Sequence, residues 1–432
     1  MKKQVDLYSF IRIRFGNSVA LSLMLLICGV FLAIMVFLNY RGAGNQGHWE
    51  LSDFMLIYLG GKGLLEGIDL YDPHAWKMLH VQFAGIYRDN PIFLYPLPAA
   101  FLFAPFALFS IRWGATLWLL VNEVLLILGV GWIMRQRKEK IGLSEFCSLV
   151  ILIALYQPVI ITIASGQYSM FMLVVLLASY AFLFREQDWL AGILASLLML
   201  RPNPFVFFFP AMVIWAITRK RWKYPAGLVA AGFFMLVISE FIRPGWLGIW
   251  ISYTIGIGGK LVTYAPISPT LSGLLGELNT SISPLAITWL QWLITVPLII
   301  GGVWISLRRE STTGLIMSVL VTLSLSITPY AWNYDHIVLL FPFLYIILYL
   351  DHKPKWEKRL VWFLLFIVYG VFPYFLRFVA TQRGRDTLSG FVPFGVLFIF
   401  LVLWVINSSK FQQDERQNRN TNNIESSISC DD

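Results

Sequence analysis

The chain has 432 residues, of which 58% are hydrophobic and only 13% charged, roughly half the charge of a soluble domain. One aqueous fold cannot hide that much apolar surface, which excludes a soluble enzyme and a soluble nucleic-acid-binding domain. The net charge of +9 comes from basic links between apolar runs, a signal of membrane topology rather than of a nucleic-acid partner.

Many of the apolar runs approach the ~20 residues that a spanning helix needs, and alternating barrel strands are absent, so an all-α polytopic membrane protein is expected. The first element is a basic segment, MKKQVDLYSFIRIRFG, followed by the apolar run Ser18 to Leu38. That run is too long for the core of a signal peptide, and no A-x-A site follows. An uncleaved first span with a cytoplasmic N-terminus is expected.

A long loop, 39–96, comes next. It contains LSDFMLIYLGGKGLLEGIDLYDP, which starts at Leu51. The spacing of Asp53, Tyr58 and Gly60 among apolar residues suits a helix lying along the membrane interface. Two readings stand for Asp53. It caps or pins that helix, or it is a partly desolvated general base. Glu66, Asp69 and Asp72, punctuated by Gly67 and Pro73, read as turn formers; Asp72 and Tyr58 are also weak candidates for substrate contact.

The segment 97–110 is short and proline-rich (YPLPAAFLFAPF), so it is expected to enter the membrane only part way. Spans are expected near 113–133, 143–164, 168–184, 189–200, 203–218, 224–242, 285–306, 314–328, 335–350, 359–377 and 389–407. The tail 408–432 is polar and expected to be disordered. The links RQRKEK, RKRWK, RR and HKPKWEKR, the N-terminus and the tail hold most of the lysines and arginines. Placing them inside gives about 12 crossings, both termini cytoplasmic, in the plasma membrane. The outer face then holds the loop 39–96, the Ser165–Gln167 corner, the break at Arg201, the loop 243–284, the corner Thr328 to His336 and the turn from Arg377 to Asp386.

Arg201, in LLMLRPNPFVFFFP, is a cation between two broken apolar segments. It binds an anion such as a lipid phosphate, or it snorkels from a helix end. The corner PYAWNYDH holds Trp332, Tyr334, Asp335 and His336. His336 is a candidate for a phosphate oxygen or a leaving group; Asp335 orients it or caps the following helix. Gly166 and Gln167 read as a tight turn, with Gln167 also a weak substrate contact. Arg377, Arg383 and Arg385 stand against the positive-inside bias and face anionic groups. No nucleotide, redox or zinc-protease motif occurs. His48, His74 and His80 have no metal-ligand spacing. No cofactor and no metal are expected, and three cysteines, Cys28, Cys147 and Cys430, form no disulfide framework.

SDFMLIYLGGKGLLEGIDLYDP, FLYPLPAAFLFAPFALF, the Gly-Gln turn of GQYSMFMLVV, LLMLRPNPFVFFFP and TPYAWNYDHIVLL stand in an order that resembles family 87 of the glycosyltransferases. The resemblance covers roughly residues 50–350. It implies a GT-C fold over 1–407, a polyprenyl-phosphate sugar donor (mannose in the bacterial members), a glycolipid or glycan acceptor, and inverting transfer on the outer face. It puts the catalytic base on Asp53, the late histidine on His336 and the hairpin cation on Arg201. Two departures are Arg201 in place of lysine and Thr328 in place of serine. Rival classes are a lipid-linked-glycan flippase, which favours related halves and midplane polar groups, and a surface-polysaccharide polymerase or ligase, which favours arginines in a large late loop. Loop 243–284 carries only Arg243 and Lys260.

Overall fold

The computed structural model describes residues 17–42, 53–84, 91–134, 143–256, 264–277, 284–308, 311–350, 353–383 and 386–406. The expectations for the N-terminal segment, His48, the link 135–140, Lys260, Arg385 and the tail lie outside these residues. The described residues are helical and contain no strand. They fall into two compact units, one of 1–127 with 163–168 and one of 128–162 with 169–432.

The first unit contains α1 (Asn17–Gly42), α2 (Asp53–Leu65), α3 (Pro73–Ala84), α4 (Leu97–Ala107) and most of α5 (Ile111–Met134). Helix α2 is not the surface helix that its pattern suggested. Phe54 through Gly61 are all buried, which leaves no amphipathic face along that stretch. Glycine explains the packing: a Cβ on Gly61 would overlap the Phe103 backbone, and one on Gly60 would overlap the Phe93 ring. The missing side chains let α4 lie directly on α2. Helix α4 has 11 residues, about 16 Å, roughly half of a hydrocarbon core. Arg112 ties α5 to α1 by donating to the Tyr40 carbonyl at 3.0 and 3.2 Å.

The second unit takes in the end of α5, α6 (Leu143–Leu155) and α7 (Gln157–Ser165) as far as Thr162. One span was expected here, but the two helices are bent by 47°. Pro158 has no N–H for the helix ladder and clashes with the preceding turn. Then follow α8 (Ser169–Phe184), α9 (Asp188–Ser196) with a 3-10 turn Leu197–Leu200, a 3-10 turn Asn203–Phe205, α10 (Phe208–Thr218), α11 (Lys223–Ile242) and α12 (Trp246–Ile255). Helices α9 and α11 touch backbone to backbone, since a Cβ on Gly192 would overlap the Tyr224 carbonyl and one on Gly227 the Trp189 carbonyl. Small residues give this close approach where lipid supplies no hydrophobic drive between helices.

The remaining elements are α13 (Leu271–Gly276), α14 (Pro284–Leu307), α15 (Thr313–Ile327), a 3-10 stretch Asn333–Leu339, α16 (Leu340–Tyr349), α17 (Lys355–Leu365), a π turn Phe366–Val371, α18 (Phe372–Arg383) and a last helix over 391–406. Among the described residues five helices are long and apolar enough to cross a membrane, or six with the bent pair. The other apolar helices have 10–17 residues; the Arg201 break with its two prolines separates two of them. Large apolar side chains point outward along the long helices, among them Phe233, Phe234 and Phe241 on α11 and Trp289, Leu293 and Ile300 on α14. Such a surface suits lipid rather than water.

Candidate functional site

In the first unit the features of interest gather at the start of α2. Asp53 is the first helical residue and the acid of the first turn, where the helix dipole favours a carboxylate anion. Its neighbour Phe54 packs against the turn at Gly166, whose φ of +67° suits glycine. Trp118 Nε1 donates to the Gly166 carbonyl at 2.8 Å. Gln167 Nε2 donates to the Tyr95 hydroxyl at 3.1 Å, and the Tyr95 ring meets Tyr168 edge-on at 5.2 Å. The expected Ser165–Gln167 corner therefore lies beside the helix that carries Asp53.

The weaker candidates of this unit have structural partners. The Tyr58 hydroxyl donates to the Phe109 carbonyl at 2.9 Å. Asp72 accepts from Ala75 N at 2.7 Å and so caps α3. Asp69 accepts from Tyr71 N at 2.9 Å, and Glu66 pairs with Lys62 one turn back at 3.2 Å. The Tyr71 hydroxyl donates to the Tyr95 carbonyl at 2.6 Å; burial pushes its pKa well above the ordinary value, with a smaller push from Asp69.

In the second unit the break at Arg201 meets the corner at 328–336. Pro202 and Pro204 interrupt the helix, and Arg201 takes an extended φ of −140°, as residues before proline do. Thr328 Oγ1 donates to the Asn203 carbonyl at 2.7 Å, and Phe207 N to Ser324 Oγ at 3.1 Å. These bonds pin the break to the end of α15. Arg201 then makes a forked pair with Asp335, Nε to Oδ1 at 2.5 Å and Nη2 to Oδ2 at 3.0 Å. The two side chains are only 5% and 1% exposed. Ser169 Oγ donates to Asp335 Oδ1 at 3.1 Å and Trp332 N to Oδ2 at 2.9 Å. Four hydrogen bonds fill the acceptor capacity of a carboxylate. Asp335 is thus a structural anion here, neither a base nor the orienter of His336. The Arg201 guanidinium also stands 4.9 Å from the centre of the Tyr334 ring.

His336 is buried in the next position. Its Nε2 lies 3.3 Å from the Pro269 carbonyl, to which it donates. Its own carbonyl accepts from the Tyr156 hydroxyl at 3.0 Å. The described part of the late loop covers this corner. Tyr264 stacks on Tyr330 at 5.7 Å and meets Trp332 edge-on at 5.8 Å, while Trp332 Nε1 donates to the Tyr330 hydroxyl at 2.7 Å. Glu277 of the same loop accepts from Thr387 Oγ1 at 2.6 Å. Arg377, 47% exposed, donates to Asp386 Oδ2 at 2.6 Å. Burial pushes the Asp386 carboxyl up, against smaller downward pulls from Ser389 and Arg377. The Arg377 turn is in this way joined, through Asp386 and Thr387, to the loop over His336.

Arg201, Trp332, Tyr334 and His336 are brought together in the second unit, and in the first the Gly166–Gln167 turn packs on Phe54, next to Asp53. Sequence reasoning missed Asp335 as the partner of Arg201. The signal was available: a buried cation requires a counter-ion, and the corner on the same expected face contains an acid. Ser169, Pro269, Glu277 and Tyr264 carried no motif. Among the described residues no three His, Cys, Asp or Glu side chains gather to hold a metal.

The family model described as "Glycosyltransferase family 87" matches residues 93–329, more than half of the chain. No curated protein and no solved structure matches it. Gln167 and Arg201 lie inside the matched range; Asp53, His336 and Arg377 lie outside it.

Proposed function

Because the chain belongs to glycosyltransferase family 87 and is an all-α membrane protein, we propose that it moves a sugar, mannose, from a polyprenyl-phosphate donor to a hydroxyl of a glycolipid or glycan on the outer face of the plasma membrane. In this reading residues 1–407 form one GT-C domain of about 12 crossings. The family match over 93–329 carries the transferase assignment. The order of the flanking motifs supports the donor and the individual roles, and the expected cytoplasmic placing of the basic links supports the side.

Asp53 takes the proton from the acceptor hydroxyl as its oxygen attacks the anomeric carbon. The bond to the phosphate oxygen breaks on the opposite side, so the configuration inverts, and polyprenyl phosphate leaves. One base suffices, since no covalent sugar intermediate forms. The leaving phosphate needs cationic or N–H stabilisation. His336 and Arg377 are assigned to it, with His336 exchanging its Pro269 contact for a phosphate oxygen. The pairing with Asp335 moves Arg201 in this account from phosphate ligand to the residue that holds the His336 corner in place. The half-exposed rings of Trp332 and Tyr334 offer a face to the sugar, and Gln167, Tyr58 and Asp72 stay at the margin of the reading.

The test is transfer by the purified full-length protein in proteoliposomes containing a cell-envelope lipid extract as acceptor. Radiolabelled polyprenyl-phosphate mannose is expected to give labelled glycolipid of inverted configuration, and GDP-mannose none. Labelling from GDP-mannose alone, or movement of the donor across the bilayer without transfer, would overturn the reading.

A further inference from the structure

The loop ends of the second unit that lie away from Arg201 hold a feature that the transfer chemistry does not use. A cleft of about 600 Å³ is lined by Glu186, Asp188, Lys220, Arg221, Trp222 and Lys223. It sits where α8 turns into α9 and α10 turns into α11, roughly 20 Å from Arg201 along α9 and its 3-10 extension. From this cleft we infer a binding site for the phosphate headgroup of an anionic lipid in the cytoplasmic leaflet.

Both turns are built alike. Gln187 N donates back to the Phe182 carbonyl at 2.9 Å, and Arg221 N to the Ala216 carbonyl at 2.8 Å. These are the six-to-one bonds of helix ends closed by a left-handed residue. Glycine usually fills that position without strain. Here it holds Glu186 at φ 60° and Lys220 at φ 59°, the two non-glycine residues with positive φ among the described ones. A strained position occupied by a charged side chain points to a use for that side chain. The close crossing of Gly192 and Gly227 holds the two turns side by side.

The charges give the site its sign. Arg221 forks onto both oxygens of Asp188 and also donates to the Leu183 carbonyl, so this pair is internally neutral. Lys220 and Lys223 are exposed, and their ammonium groups have no hydrogen-bond or ion-pair partner among the described residues. Lys223 stands in the first turn of α11, and that turn contains no acid, so its charge adds to the positive end of the helix dipole. Glu186 offsets one lysine and leaves a net positive lining.

The surroundings select a lipid over a free anion. Phe184, Trp189 and Trp222 are 64%, 45% and 58% exposed. Aromatic residues of this kind mark the interface of a bilayer. The expected topology puts the RKRWK link on the cytoplasmic side, where anionic lipids attract basic clusters and fill basic pockets between helices.

The full-length protein would be titrated with phosphatidylglycerol or phosphatidylcholine in detergent, with bound lipid counted by native mass spectrometry and Tm recorded. Wild type should retain phosphatidylglycerol in preference, with Tm rising with its concentration. Lys220→Gln with Lys223→Gln should weaken that retention about tenfold or more, while Lys77→Gln leaves it unchanged. Lys220→Gly should raise Tm without lipid, because the turn relaxes, and still weaken retention. Equal retention by wild type and the double variant would overturn the site. Displacement by 10 mM inorganic phosphate would also overturn it, in favour of a soluble anion.

Discussion

Two arginine–aspartate forks stand at the two ends of the helices α8 to α11, and they have opposite consequences. Arg201 with Asp335 is 5% and 1% exposed, whereas Arg221 with Asp188 is 21% and 12% exposed. The geometry is similar and the surroundings differ. The pair at the lysine-rich end is partly open to water and counter-ions, which screen it in part, so it contributes less than the buried one. At the buried end each charge depends on its partner, and removing one leaves the other stranded. The same chemistry is thus a surface clip at one end and an obligatory joint at the other.

The largest effect on stability is expected at the buried end. Asp335→Ala should destabilise the protein by about 3–5 kcal/mol, read as a large drop in Tm in detergent. The double variant Arg201→Leu with Asp335→Leu should recover much of that loss, since no charge is left unpaired. If the double variant is worse than the sum of the two single changes, the joint is not held by charge pairing.

Next comes the helix crossing that both ends share. Gly192→Val puts a branched side chain where the Tyr224 carbonyl stands, and overpacking of this kind costs about 1–3 kcal/mol. An unchanged Tm would show that α9 and α11 are not in backbone contact. The smallest effect is expected for Arg221→Ala, about 1 kcal/mol or less, and it should shrink as salt is raised. A loss as large as that of Asp335→Ala would remove the contrast between the two ends.

Much of this was legible in the sequence. Helix positions followed from apolar runs, because lipid requires continuous helices and the turns are marked by basic links, prolines and glycines. The runs at 224–242, 285–306 and 314–328 correspond to α11, α14 and α15 within a few residues. Less legible were features that depend on one long-range neighbour. The bend at Pro158 lay inside a run, 143–164, whose length and apolar character read as one span. The burial of α2 depends on Gly60 and Gly61 meeting Phe93 and Phe103, which no local pattern encodes. Asp335 was visible as an acid next to a histidine, yet its partner lies 134 positions away. The contact between Pro269 and His336 comes from a loop with no motif at all.

Asp53, the first residue of α2, is the base proposed for sugar transfer. The direct measurement is kcat/KM for sugar transfer by Asp53→Asn in proteoliposomes, with fold checked by Tm and donor binding checked separately. Loss of the base should lower the rate by about 10²–10⁴-fold, with Tm and donor affinity near those of wild type. A rate within about threefold of wild type would contradict the assignment and leave Asp53 as the acid that starts a buried helix.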